Sequence, residues 1–158
     1  MAMPSGIPIE HGVAFPNGAF VIGEVTPVED FDLVQAARES GRSADVQTRD
    51  KNTGKRMWAV RVVDADDLVR KGQAEVTVKV VADVQPVPPE ALPGVPFRPV
   101  VFEGLTATAW VDTNRARPRL AWSFKAASMR APAKSDPAPV SQRPSTQPSP
   151  GTGGNQAA

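Results

Sequence analysis

The feature that most constrains the fold is an alternating stretch, QAEVTVKVVADV, at residues 73–84. Val76, Val78, Val80, Ala82 and Val84 have the same parity, and the residues between them are mostly polar. Successive side chains of a strand point to opposite faces, so this pattern is typical of a strand with one face in a core. It predicts a central strand whose other face meets water.

Shorter segments predict further strands around it. GAFVIGEV (18–25) is a short apolar run between turn residues, and residues 45–66 have two extended halves about Asn52-Thr53-Gly54, which suits a β-hairpin. In GLTATAWVD (104–112) the alternation places Leu105, Ala107, Ala109 and Val111 on one face. In PRLAWSFKA (118–126) it places Leu120, Trp122 and Phe124 inward.

Helical signals are few. Residues 29–40 predict about two helical turns, with Asp30 or Asp32 as the N-cap and Gly41 at the end. Residues 64–71 suit a single turn closed by Gly72. The absence of long helices argues against a βαβ fold. We expect an all-β protein, a small five- to six-stranded antiparallel barrel of the OB type, with an SH3-like barrel or a small sandwich as alternatives.

The domain organisation follows from composition. Residues 1–18 form a lead-in rich in Gly and Pro, residues 19–129 form the barrel domain, and residues 130–158 form a tail. The tail has one large apolar side chain, Val140, so we expect it to be disordered. Residues 85–99 contain six prolines and predict an irregular excursion from the barrel.

Catalytic patterns are missing from the sequence. It has no cysteine, and its one histidine, His11, falls in the lead-in, where we interpret it as a surface loop residue. The acidic group Asp64, Asp66 and Asp67 suits a turn better than a metal site. We therefore expect a non-enzyme with no catalytic residue, cofactor or metal. No long apolar run or secretory signal is present, which favours a cytoplasmic protein with no membrane contact.

Charge is segregated although the net charge is only +1. Residues 38–61 carry seven basic and three acidic residues, and residues 112–130 carry five basic residues and one aspartate. If the two hairpins point the same way, they form a basic groove that binds phosphates. Trp110 and Trp58 would each either stack on bases there or pack in the core, with Trp110 the favoured stacking residue, and Trp122 belongs to the core. The candidate nucleic-acid-binding residues are Arg49, Lys51, Lys55, Arg56, Trp58, Arg61, Trp110, Arg115, Arg117, Arg119 and Lys125.

A family resemblance gives these residues a context. The blocks VQTRDKNTGKRMWAVRVVDAD and PVPPEALPGVPFRPVVFEGLTATAWV lie within residues 10–128, a region that resembles actinobacterial plasmid replication, integration and excision activators of the Pra type. The resemblance implies a role in switching an integrative plasmid between its integrated and replicating forms, and it assigns no residue role. The order of segments also resembles small single-stranded-DNA-binding proteins with an OB fold.

The leading functional hypothesis is an accessory protein of a mobile element that binds single-stranded DNA. One alternative is a protein-interaction module that docks on a replication initiator or recombinase. The other is a promoter-binding transcriptional activator, although no helix-turn-helix pattern is visible. Valine-rich strand edges also leave a homodimer open.

Overall fold

The computed structural model describes residues 6–69, 74–133 and 136. This part of the chain contains nine strands and two short helices. The strands are β1 Ile7–Pro8, β2 Ala19–Val21, β3 Thr26–Pro27, β4 Met57–Asp64, β5 Glu75–Val81, β6 Arg98–Glu103, β7 Thr106–Asp112, β8 Arg119–Ala126 and β9 Ser128–Arg130, and the helices are α1 His11–Ala14 and α2 Phe31–Ser40. The disorder predicted for the tail falls almost wholly outside the described residues.

The strands form one curled, open sheet, a half-barrel, in the order β1-β7-β8-β5-β4-β2-β6-β9, with β3 also paired to β4. The mostly-β class is confirmed, but the prediction of five to six strands is wrong. Strand β6 was missed because it follows the proline-rich segment and contains Pro99, a residue that ordinarily argues against a strand. Strands β1, β3 and β9, which were also missed, have only two or three residues each and are too short to show an alternating pattern.

The sheet is also not wholly antiparallel. Strands β5 and β8 run parallel, with Val78 opposite Phe124 and Val80 opposite Ala126. A parallel pair needs a long connection between its strands, and here the proline-rich segment, β6 and β7 supply it. This pairing fixes the direction of the hairpin β7–β8 relative to the rest of the sheet.

The core lies on one side of the curled sheet, with β4 and β5 at its centre and with buried residues of β2, β6 and the end of β8 around them. Val60, Val62, Val78 and Val80 are at most 1 % exposed, which confirms the core face predicted from the alternation. The alternation continues in the sequence beyond the end of the strand. Strand β5 stops at Val81, so Val84, predicted on the core face, is 77 % exposed instead. We call the core side of the sheet the inner face and the opposite side the outer face.

The turn predicted at Asn52-Thr53-Gly54 is present. Gly54 has φ 72°, which favours glycine, and the Asp50 amide donates to the Lys55 carbonyl at 2.8 Å. The chain before the turn is less regular than predicted, since it makes only isolated bridges, such as Arg49 with Arg56. We call residues 50–55 the basic turn.

Helix α2 confirms the predicted caps, although at ten residues it is longer than the expected two turns. The Asp30 carboxylate accepts hydrogen bonds from the amides of Asp32 and Leu33, and Gly41 ends the helix with φ 63°. No residue of α2 is buried, so the helix lies on the surface of the half-barrel.

Strands β7 and β8 form a hairpin that extends beyond the sheet. They pair from Thr106 with Lys125 to Asp112 with Arg119. Strand β5 pairs with β8 only at the last three residues of β8, from Phe124 to Ala126. Strand β1 pairs with β7 only at Thr106 and Ala107. Residues 109–122 are therefore a two-stranded ribbon with no further strand beside it in the described part of the chain. We call this ribbon the arm.

The prediction that Leu120 and Trp122 lie in the core is wrong, because both residues belong to the arm. Leu120 is 63 % exposed and Trp122 is 48 % exposed, although both share a face with Phe124, which packs against the core. The alternation identified the face correctly, but the core ends near Ala107. Ala109 and Val111, predicted on the apolar face of β7, are exposed for the same reason.

The lead-in also differs from expectation, because His11 is half-buried in α1. Its ring lies 5.2 Å from that of Phe15 and 5.9 Å from that of Phe102, centroid to centroid. The Phe102 amide donates to His11 Nδ1 at 3.2 Å. Burial lowers the pKa of the His11 imidazole, with Arg130 acting in the same direction and Asp136 against it. His11 is thus a packed structural residue rather than a surface loop residue.

Candidate nucleic-acid interface

The two basic hairpins lie at opposite ends of the sheet. The parallel register of β5 and β8 puts Lys125 at the end where β4 begins and the basic turn lies. Arg119 is six residues earlier on β8, about 20 Å away along the strand. The two hairpins therefore do not point the same way, and the basic groove predicted on that condition is not formed.

Both hairpins nevertheless border the same outer face. Thr106, Lys125, Lys79 and Ala59 lie side by side across β7, β8, β5 and β4. Trp110 shares this face, since its parity on β7 is that of Thr106, and it is 45 % exposed. One continuous surface thus runs from the arm to the basic turn.

Lys125 fastens the basic turn to the end of this surface. Its ammonium group donates to Asp50 Oδ1 at 2.8 Å, and the amide and hydroxyl of Thr53 donate to Asp50 Oδ2 at 3.1 and 3.0 Å. Asp50 is only 7 % exposed. The hydrogen bond from Lys125, reinforced by those from Thr53, lowers the pKa of the Asp50 carboxyl against the opposing effect of burial.

A cleft of about 260 Å³ opens beside this ion pair. Val81, Ala126 and Ala127 supply its apolar wall, and Asn52 and Lys55 line it from the basic turn. The cleft therefore combines an apolar surface with polar groups at the end of the outer face.

Most of the predicted phosphate-binding cations already have acidic partners. Asp45 Oδ2 accepts from Arg56 at 2.8 Å and from Arg49 at 3.2 Å. The remaining pairs are Arg61 with Glu75 at 2.6 Å, Lys55 with Asp83 at 4.0 Å, and Arg115 and Arg119 with Asp112 at 3.3 and 3.8 Å. The positive potential of the two hairpins is accordingly weaker than their arginine and lysine content indicates.

Three cations bordering the outer face have no ion-pair partner among the described residues. Lys51 lies in the basic turn, Arg117 at the arm tip and Lys79 in the middle of β5. Lys79 is absent from the predicted site because it stands alone in a valine-rich strand, outside both clusters of basic residues. Its parity, opposite to that of Val78 and Val80, was the signal that placed it on the solvent face.

The three tryptophans occupy different environments. Trp58 packs against the core, and its indole Nε1 donates to the Ala82 carbonyl at 2.9 Å. Of the two positions considered for Trp58, the structure has the one in the core. Trp110 and Trp122 are both about half exposed, on the outer and inner faces of the arm respectively. Of the two proposed stacking residues, only Trp110 stands on the surface bordered by the cations.

The acidic group after β4 has the geometry of a turn. The Asp64 carboxylate accepts from the Asp66 amide at 3.0 Å, and the Asp66 carboxylate accepts from the Leu68 amide at 2.9 Å. Burial raises the pKa of the Asp64 carboxyl. Within residues 6–69, 74–133 and 136, no three His, Asp or Glu side chains converge in a way that would hold a metal ion. No helix in the same ranges has the length and hydrophobicity to span a membrane.

Comparisons with family models, with curated proteins and with solved structures give no match to this chain. The geometry of the outer face and of the arm is therefore the basis for assigning a function.

Proposed function

We propose that this chain is a non-enzymatic accessory protein that binds single-stranded DNA along its outer face. Following the resemblance in its sequence, it would act for an integrative plasmid or another mobile element, supporting replication, integration or excision. The observation that carries the proposal is the position of Trp110, exposed on a sheet face that has basic residues at both ends. Exposed aromatic rings beside cations are what base stacking and phosphate binding require.

The bound strand would follow β8. It would start at the arginines of the arm tip, place a base on Trp110, and pass Lys79 and Lys125. The distance of about 20 Å between Arg119 and Lys125 suits a site of about four nucleotides, the lower end of the range for one OB-sized domain. The cleft beside Lys125 then lies where the strand reaches the basic turn.

The ion pairs set the expected strength of binding. A phosphate that contacts Arg56 or Arg61 must replace a carboxylate, so each such contact contributes less than a free cation does. Lys51, Lys79 and Arg117 have no such competitor among the described residues. We expect a moderate affinity that falls as salt rises, with a shallow slope that reflects few phosphate contacts.

The test is fluorescence anisotropy with a labelled oligothymidine at several salt concentrations, using two matched variants of the arm. Trp110→Ala should weaken binding about tenfold, since stacking contributes about 1–3 kcal/mol per base. Trp122→Ala removes the same ring from the opposite face and should leave the affinity within about twofold of the original.

Equal losses in the two variants would contradict the outer-face assignment. The absence of salt-dependent binding by the original chain would overturn the proposal as a whole. If an unlabelled duplex of equal length displaces the labelled strand as well as, or better than, an unlabelled single strand does, the promoter-binding alternative is favoured instead.

The second candidate function, a protein-interaction module, is favoured by the proline-rich segment. Val87 is 85 % exposed, and Val95 and Phe97 are 41 % and 43 % exposed. Gln85 anchors the start of the segment by donating to the Val25 carbonyl at 2.8 Å. A held, proline-rich segment with exposed apolar side chains suits recognition by another protein. Binding of the purified replication initiator or recombinase, lost in Val87→Glu and resistant to nuclease, would support this alternative.

A further inference from the structure

The inner face of the arm is an exposed apolar surface. Across β1, β7 and β8 the register places its residues on one side, in continuity with the core. Its members are Ala109, Val111, Leu120 and Trp122, and Ile7 of β1 extends the surface at the base of the arm. Ile7 is 56 % exposed, Val111 58 %, Leu120 63 % and Trp122 48 %. A contiguous apolar patch of this kind on a small protein commonly marks a contact surface.

The charges of the arm are arranged so that this face has none. Asp112 and Arg119 pair with each other on the outer face, and the tip arginines lie beyond the last strand pair. An uncharged face offers nothing to a phosphate backbone, and it needs a partner surface that is equally apolar. The arm is itself such a surface.

We propose that the inner face of the arm binds the same face of a second copy of this chain. The bulkier side chain of each facing pair lies on β8, since Trp122 is opposite Ala109 and Leu120 is opposite Val111. With the two arms antiparallel about a twofold axis that crosses the strands, β8 of one copy lies over β8 of the other, so Trp122 of each copy would lie over Leu120 of its partner. This packing covers the large residues of both copies without opening either core.

The ends of the arm favour the antiparallel arrangement. Arg117 at the tip and Glu10, which follows β1 beyond the base of the arm, are exposed and have no ion-pair partner among the described residues. Antiparallel arms bring the tip of one copy towards the base of the other. Opposite charges then meet at both ends of the contact, whereas parallel arms would place like charges together.

The extent of the face limits the strength of the dimer. The side chains of one arm supply only a few hundred Å², less than the roughly 800 Å² per partner of a standard stable interface. The dimer is therefore weak and depends on concentration. If the outer face binds a strand as proposed above, the dimer carries two such surfaces that point away from each other, and it can hold two strands at once.

The experiment is sedimentation velocity of the full chain without DNA, from about 5 to 500 µM, so its result does not depend on the proposed function. The original chain should change from monomer to dimer across this range. Leu120→Glu should weaken association at least tenfold because it places a charge within the apolar contact. The matched control is Leu68→Glu, the same change at a residue 87 % exposed outside the arm, and it should dimerise like the original.

A second pair of variants tests the orientation. Arg117→Glu should weaken association several-fold, and adding Glu10→Arg should restore it. A chain that stays monomeric at 500 µM overturns the proposal and leaves the face to a different partner. Equal behaviour of the Leu120 and Leu68 variants, or failure of the charge reversal to restore association, also overturns it.

Discussion

The β4–β5 pair and the β7–β8 pair are built alike and end in opposite environments. Each ladder has seven paired positions, and each alternates apolar and polar residues. Val60 and Val78 of the first are fully buried, whereas Val111 and Leu120 of the second are more than half exposed. The difference lies in the neighbours: β4 and β5 have strands on both sides, and the arm extends past them. Alternation determines which face a side chain takes, and the surrounding strands decide whether that face is covered.

The largest expected effect comes from placing the same charge in both ladders. Val78→Asp buries a carboxylate among the central valines and should cost more than about 4 kcal/mol, enough to unfold a small domain. Val111→Asp introduces the same group at an exposed position of the arm. It should change the free energy of unfolding of the monomer by no more than about 0.5 kcal/mol.

Urea unfolding followed by circular dichroism, at a protein concentration low enough to keep the chain monomeric, measures both variants. A large loss of stability in Val111→Asp would mean that the arm packs against the body of the sheet, and the contrast between the two ladders would fail.

An intermediate effect is expected where the body of the sheet meets the basic turn. Asp50→Ala removes the acceptor of Lys125 and Thr53 and should lower the free energy of unfolding by about 1–3 kcal/mol. Because the pKa of the Asp50 carboxyl is lower in the folded chain, its contribution is complete above the ordinary pKa of about 3.9 and is lost as the pH falls below it.

Asp83→Ala is the matched control, since Asp83 is an exposed aspartate 4.0 Å from Lys55. It should change the stability by less than about 0.5 kcal/mol. Equal effects of the two substitutions in thermal melts would show that the basic turn is not fastened through Asp50.

The smallest effect is the pH dependence of stability that comes from His11. This histidine packs against Phe102 of β6, away from the arm. Its pKa is lower in the folded chain, so the unfolded chain takes up the proton first. The stabilising contribution is therefore complete above the unfolded pKa of about 6.5 and decreases as the pH falls through the folded value. The free energy of unfolding should fall modestly between pH 7 and pH 5, and the exposure of Trp110 to a soluble quencher should not change.

His11→Gln keeps an acceptor for the Phe102 amide and does not titrate, so it should flatten this pH dependence. An unchanged slope in that variant would assign the pH dependence to other groups.

Local features of the fold could be predicted from the sequence, and non-local ones could not. The valine faces of β5, the turn at Gly54 and the caps of α2 depend on residues close in the chain. The parallel contact of Val78 with Phe124 depends on strands far apart, and no local pattern encodes it. Strand β6 was hidden by its proline, and the end of the core on the hairpin β7–β8 is set by neighbouring strands rather than by Leu120 or Trp122 themselves.

The candidate site shows the same division. Parity placed Trp110 on the same face as Thr106 and Thr108, and the structure then shows that it is exposed. The mutual position of the two basic hairpins did not follow from parity, because it depends on the direction in which β8 meets β5. Ion pairing across the structure, such as Arg61 with Glu75, also cannot be counted from charge composition, although it decides which cations are available.

The short parallel contact between β5 and β8 has a consequence for the order in which the chain is made. Strands β4 and β5 leave the ribosome and can pair well before β8 has been synthesised. Until then the edge of β5, with Val78 and Val80, displays unpaired backbone groups beside apolar side chains, a combination that promotes aggregation. Nascent chains that stop before Arg119 should therefore aggregate or recruit chaperones, whereas chains that have released Ala126 close this edge with their own eighth strand.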